Sequence, residues 1–161
     1  MTNRTFQTPT LYLMAGIAGS GKTWVRKNDA AMMELPVVDA DQFKASHPDY
    51  DPKNPSLIHA WSSKMAMRAF FEMLGEGNSF VYDGTGTSTE KYVSMINAAH
   101  AAGFMVEVVY VKVALATSLH RNANRERVVP EAIVLEQHSL IGVSMEILSG
   151  YADAYRVVRN D

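Results

Sequence analysis

Gly16-Ile17-Ala18-Gly19-Ser20-Gly21-Lys22-Thr23 decides how the rest of this chain is read. It fits the spacing G-x-x-x-x-G-K-[ST], which has a physical mechanism behind it. Glycines let the backbone curl until successive N–H groups point inward and form an anion-binding nest. The helix that opens there adds unpaired N–H groups and a partial positive charge. Leu11 to Ala15 ahead of the loop reads as a buried strand and Trp24 to Met33 behind it as a helix, the context the pattern requires. Gly16, Ala18, Gly19, Ser20 and Gly21 are therefore expected to cradle the phosphates of a nucleoside triphosphate. Lys22 is expected to reach the β- and γ-phosphates, and the Thr23 hydroxyl to ligate Mg²⁺. Trp24 is either a packing residue or a surface on which the base stacks.

Working outward, short apolar strands alternate with amphipathic helices. Leu35 to Asp39 reads as a second strand, with Asp39 and Asp41 at its carboxyl end, and His47 to Pro55 as an ordered, proline-rich loop. Ser56 is expected to cap a helix over 57–74, with Leu57, Trp61, Met65, Phe70 and Leu74 on its buried stripe. Ser79 to Asp83 reads as a third strand, Gly84 to Thr89 as a polar turn, and 90–102 as a helix burying Tyr92, Met95, Ile96 and Ala99. Phe104 to Val111 is the strongest strand signal, with Glu107 expected at an exposed end or edge. Residues 114–127 read as a helix that grows basic. Pro130 opens another helix to about Leu148, with Val134, His138, Ile141, Met145 and Leu148 inward, and Tyr155 to Val158 reads as a last strand. This alternation predicts an α/β three-layer sandwich around a five-stranded parallel sheet, of the P-loop NTPase kinase type. Residues 1–10 read as an N-terminal arm and 11–161 as one domain with a lid at about 114–130.

Composition narrows the partners. A formal net charge of −2 provides no global field to recruit nucleic acid, although a local basic groove is compatible with it. The chain has no cysteine, so disulfides and thiolate metal sites are excluded. The polar residues from Met1 to Pro9 lack the apolar core of a signal peptide, and no apolar run is long enough to span a membrane. A cytoplasmic protein without membrane contact is expected.

Phosphoryl transfer to an alcohol needs a phosphate cradle, a metal, a group to receive the hydroxyl proton, and positive charge on the moving phosphoryl group. In parallel sheets ligands bind beyond the carboxyl ends of the strands, where Asp39, Asp41 and Asp83 fall. Asp41 is the candidate base. Asp39 either serves the metal through water or caps a loop. Arg121, Arg125 and Arg127 supply the charge, with Arg121 and Arg125 four apart and expected on one helix face as part of a closing lid. Asp83, Thr85 and Thr87 are candidates for holding the acceptor or the metal's water shell. Lys44 reads as a contact to an anionic acceptor or a surface lysine, and His47 as an acceptor contact or a loop hydrogen-bonding residue.

Together, the phosphate loop, the passage Val38-Asp39-Ala40-Asp41-Gln42-Phe43-Lys44 with His47-Pro48, and the turn Asp83-Gly84-Thr85-Gly86-Thr87 resemble zeta-toxin-like kinases. Arg121 to Pro130 resembles the lid of phage-type polynucleotide 5′-hydroxyl kinases. The resemblance implies ATP as donor, Mg²⁺, Asp41 as the base, and Arg121 and Arg125 on the transferring phosphoryl group, with Asp83 and Thr85 near the acceptor. It implies an acceptor hydroxyl on a nucleic acid (a 5′-hydroxyl or a hydroxymethylated base) or on the sugar of a UDP-amino sugar. The chain departs from the zeta pattern in carrying Asp83 where those toxins usually have Glu, and Thr87 where they have Arg. The alternative reading is a non-catalytic ATP-binding switch module. An antitoxin partner leaves no readable mark in the sequence.

Overall fold

The computed structural model describes residues 7–53 and 58–161. Five strands among them, β1 (Thr10–Ala15), β2 (Val37–Asp39), β3 (Phe80–Asp83), β4 (Met105–Lys112) and β5 (Ala154–Arg159), pair in parallel in the order β2-β3-β1-β4-β5. The helices are α1 (Lys22–Asn28), α2 (Ala40–Ser46), α3 (His59–Glu76), α4 (Thr89–Ala101), α5 (Leu115–Ala123) and α6 (Glu131–Ser149). This is the α/β architecture expected from the alternation.

Alternate side chains of a strand face opposite sides, and the sheet divides its core accordingly. Leu11, Leu13, Phe80, Tyr82, Val106 and Val108 join Phe70 of α3, Met95 and Ile96 of α4, and Val134, Ile141 and Met145 of α6. On the other face Met14, Val81, Val109 and Val111 meet Val25 of α1 and Met32. The buried Tyr92 hydroxyl donates to the Met14 carbonyl at 2.6 Å, tying α4 to β1. With β1 central, the loop that follows it opens beside the carboxyl end of β3, and β2 lies one strand further out.

Several local expectations are corrected. The helix after the loop stops at Asn28 rather than running to Met33: the Asn28 side-chain amide donates back to the Trp24 carbonyl, and Asp29 is extended and accepts from the Ala31 N–H. In α3 the buried stripe is Ser62, Ala66, Phe70 and Leu74, not the one through Trp61 and Met65. Small residues bring that helix close to the sheet, while Trp61 is 37% exposed and meets His47 edge-on at 4.7 Å. Ser56 and Leu57, read as the start of this helix, lie outside the described residues, as do Pro55 and most of the N-terminal arm. Glu107 is not at an edge. It lies on β4 between β1 and β5, half-buried, with its carboxylate 3.5 Å from Arg156. His138 is exposed rather than inward; the buried face of α6 runs through Val134, Ile141, Ser144, Met145 and Leu148. α5 ends at Ala123, so Arg125 and Arg127 belong to the loop after it and do not share a helix face with Arg121. The cause is Asn122, whose side chain donates to the Val129 carbonyl at 2.7 Å and accepts from the Val129 N–H at 3.0 Å, folding the segment back on itself.

Candidate active site

The phosphate loop is bent at two left-handed glycines, Gly19 (φ +80°) and Gly21 (φ +86°). A Cβ at Gly19 would lie 2.5 Å from the Ser118 carbonyl oxygen, so α5 packs directly on bare backbone there. Neighbouring elements fix the loop. The Ala18 N–H donates to Gln137 Oε1 at 2.9 Å, and its carbonyl accepts from the Ser118 hydroxyl at 2.5 Å. The Ser20 carbonyl accepts from Asn160 Nδ2 at 2.9 Å and Arg121 Nη1 at 3.4 Å, and the Gly16 N–H donates to the Thr85 carbonyl at 2.9 Å. Lys22 Nζ donates to the Gly16 carbonyl at 2.9 Å. Burial depresses the Lys22 pKa, while Asp83 and Asp41 act in the opposite direction.

Two buried polar groups beside this loop have no partner among the described residues: the Ser20 hydroxyl and Arg125 Nη2. A buried guanidinium nitrogen left unpaired beside this loop fits a polyphosphate, although the N–H groups of Gly16, Ala18 and Ser20, expected to cradle it, are donated to Thr85, Gln137 and the Ile17 carbonyl. Among the described residues no set of three or more acidic or histidine side chains cages a metal ion. Thr23, Asp39 and Asp83 line the same cleft, which suits Mg²⁺, an ion that takes one or two protein ligands and completes its shell with phosphate oxygens and water.

The parallel register sets Asp39 directly beside Asp83 across β2 and β3. Asp39 also caps α2, accepting from the Asp41 N–H at 2.8 Å. Burial first, then the charges of Asp83 and Asp41, push the Asp39 pKa up to about 6. For Asp41 burial is likewise the largest influence and raises the pKa, but the Arg127 guanidinium ion-paired to it, with Lys44 3.9 Å away and Lys22, holds it below the usual value. Environment thus separates two neighbouring carboxylates, as acid–base sites require. Asp83 is buried, with its carboxylate 3.5 Å from Arg26 Nε.

A prediction follows for Asp39. A carboxyl whose folded pKa exceeds its unfolded value holds its proton more tightly when folded. Its destabilisation of the nucleotide-free protein is therefore complete above about pH 6 and relieved as pH falls toward 3.8. Asn caps a helix as well as Asp does, so Asp39→Asn isolates the charge. The variant is expected to melt higher than the unaltered protein at pH 7, with the difference vanishing near pH 4. Equal melting temperatures at pH 7 would refute the raised pKa.

Three clefts meet here. A donor-side cleft of about 540 Å³ is lined by Gly19, Gly21, Lys22, Thr23, the 63%-exposed Trp24, Asp39, Asp41, Asp83 and the three arginines 121, 125 and 127. A second, about 500 Å³, runs past Ala18, Lys44, Thr85, Thr87, Arg125 and Arg127 to the apolar Val129, Pro130 and Ile133. A third, about 610 Å³, opens between α3 and α4 over Asp83, Thr85 and Thr87. Lys22 and Asp41 line all three. Lys44 is buried beside Asp41, and the Thr85 and Thr87 hydroxyls are 3.0 Å apart. Gly16 and Ser20 lie within the loop rather than on these walls. His47 lies outside all three clefts, its Nδ1 accepting from the Asp49 N–H.

Sequence reasoning missed Gln137, Ser118 and Asn160 behind the loop, Arg26 on Asp83, and His59, Ser63, Lys64 and Lys91 on the third cleft. The spacing of four in His59-Ser63-Met67 was a legible helical signal. Nothing in the sequence paired it with α4.

The family model described as Zeta toxin matches residues 1–161. Over 107 residues the chain is 27% identical to Toxin zeta of Streptococcus pyogenes, a match covering 61% of this chain and 37% of that protein. The chain thus spans about a third of the length of the curated relatives it matches. The solved complex of AvrRxo1-ORF1 and -ORF2 with ATP aligns with a TM-score of 0.74 at 20% identity, over 96% of this chain and 55% of that one. A structure from the PezAT toxin–antitoxin system of Streptococcus pneumoniae aligns at 0.70 and 16% identity, over 99% and 72%. At these identities the structural likeness is one of fold.

Proposed function

The chain belongs to the zeta toxin family, and from that premise we propose that it is an ATP-dependent phosphotransferase that moves the γ-phosphoryl group of ATP to an alcohol hydroxyl. The observation that carries this reading is the convergence of the three clefts on Lys22 and Asp41. A donor cradle and an acceptor cleft share one cation and one carboxylate, the arrangement in-line transfer requires.

In this reading the Gly19–Thr23 backbone and Lys22 hold the donor's phosphates, and Arg121 and Arg125 carry the charge that spreads over the moving phosphoryl group. Bound Mg²⁺, held through Thr23 and Asp39, would neutralise phosphate charge. Asp41 orients the acceptor hydroxyl and receives its proton as the new O–P bond forms and the bond to the ADP oxygen breaks. Thr85 and Thr87 present hydroxyls to the acceptor. The acceptor hydroxyl belongs to a nucleic acid or to the sugar of a UDP-amino sugar. The likeness in fold to a structure from the PezAT toxin–antitoxin system supports a proteinaceous inhibitor as a partner.

Incubation with Mg²⁺ and γ-labelled ATP, against 5′-hydroxyl oligonucleotides, hydroxymethylated DNA and UDP-amino sugars, tests the reading. Acceptor-dependent release of ADP with label on the acceptor is expected. Tight ATP binding with no labelled acceptor anywhere in the panel would assign the chain to a nucleotide-binding switch instead.

A further inference from the structure

β5 forms one edge of the sheet, and nothing in its sequence guards that edge. A strand edge exposes a row of unpaired N–H and C=O groups, which proteins blunt with short strands, proline, bulges or outward charge. β5 runs six residues in unbroken register with β4, from Glu107 opposite Ala154 to Lys112 opposite Arg159, without proline or glycine. The other edge, β2, is three residues long and passes straight into α2. The cation in the middle of β5, Arg156, is no guard either: it lies on the α1 side of the sheet, held by Asp29 and Glu107.

The opposite face of β5 is apolar. Tyr155 and Val157 stand in register with Val108 and Tyr110, on the side of the sheet that carries α6, yet they are 37% and 44% exposed. Of the twelve exposed large hydrophobic side chains among the described residues, seven belong to α6, β5 and the turn between them, so the apolar surplus gathers at this border of the molecule. No residue of β5 lines any of the three clefts that meet at Lys22 and Asp41. The border is a surface separate from the candidate active site.

We propose that β5 pairs antiparallel with β5 of a second copy of this chain, joining the two sheets into one across a two-fold axis. The strand's own sequence selects the register. A two-fold axis normal to the sheet keeps each face on its own side, so opposed residues share a face. With the axis at Val157, that valine meets its copy, Tyr155 meets Arg159 of the second copy, and Arg156 meets Val158. Arg159 is exposed and makes no ion pair among the described residues, so its guanidinium is free to lie on the Tyr155 ring. An axis at Arg156 would oppose two like charges, and an axis at Val158 would shorten the ladder to three residues of the strand. Strand pairing alone is small beside the roughly 800 Å² per partner that a stable dimer buries. α6 supplies the rest: it packs against β4, and strands about 4.8 Å apart set the two β4 strands three intervals, about 14 Å, from each other. Helices are about 10 Å across with their side chains, so the two copies of α6 flank the seam, with Tyr155 and Val157 as its floor.

The chain has no cysteine, so introduced thiols report the register without background. Sedimentation of the full chain from low to high micromolar concentration is expected to show a monomer passing into a dimer. Val157→Lys sets two ammonium groups against each other on the axis and should weaken association at least about 100-fold, with an unaltered far-ultraviolet dichroism spectrum to show that the variant folds. Under mild oxidation Val157→Cys alone is expected to cross-link, because directly opposed residues lie within the span of a disulfide. Tyr155→Cys alone should not cross-link, whereas Tyr155→Cys combined with Arg159→Cys should. A monomer at every concentration, or Val157→Lys associating as tightly as the unaltered protein, would overturn the pairing. Cross-linking of Tyr155→Cys alone, with none in Val157→Cys, would overturn the register.

Discussion

Asp41→Asn is expected to bind Mg-ATP as the unaltered protein does and to transfer phosphate about 10²- to 10⁴-fold more slowly, the usual contribution of a positioned proton acceptor. The amide keeps the volume of the carboxyl and its place on α2. It cannot take the hydroxyl proton, and it cannot hold the negative charge that Arg127 and Lys44 now stabilise. Those two cations favour the ionised form, so the base is ready at neutral pH and becomes protonated only in strong acid. Single-turnover transfer from labelled ATP, with AMP-PNP affinity measured alongside, separates the two effects. Full transfer by Asp41→Asn would remove the base from its role and leave positioning alone to drive the reaction.

Lys22→Met is expected to lose at least about 10²- to 10³-fold in transfer, the cost of removing one preorganised donor to developing charge, and to weaken Mg-ATP binding as well. A second consequence is specific to this arrangement. Lys22 is the ammonium whose charge the carboxylates of Asp83, Asp41 and Asp39 all feel. Without it Asp39, already lifted to about 6 by burial and by its two acidic neighbours, rises further. The acid limb of any residual activity should therefore move to higher pH. Carboxyl carbon shifts of Asp39 followed through a pH titration check this directly, and an unmoved midpoint would contradict it.

How much of this was legible in the sequence depends on distance along the chain. The turn of the phosphate loop was legible because its glycines lie within eight consecutive residues, while the partners that occupy the Ala18 and Gly16 N–H groups lie far along the chain. The sheet was read because apolar strand runs alternate with helical periodicity, a local signal. The packing register of α3 was not, because a rule that seeks large apolar residues follows Trp61 and Met65, and the helix instead approaches the sheet through Ser62 and Ala66. Arg121, Arg125 and Arg127 line one cleft, but the single helix expected to carry them stops short: α5 ends because Asn122 closes on Val129, and that pairing across seven residues has no propensity signature. The third cleft was invisible for a simpler reason. Its walls belong to helices separated by β3, and only the tertiary fold brings Lys64 and Lys91 onto one cavity.

The bonds that hold the phosphate loop from behind bear on synthesis. Ala18 is secured by Ser118 and Gln137, and Ser20 by Asn160, partners 100, 119 and 140 positions away. A nascent polypeptide halted after α6 would carry the entire glycine motif yet lack the brace that follows β5. Such a ribosome-bound intermediate is expected to ignore ATP, so competence would arrive in one late step rather than grow with length. Stalled chains of increasing length, probed with a fluorescent ATP analogue, would report that step; binding by the shorter chains would show that the loop shapes itself unaided.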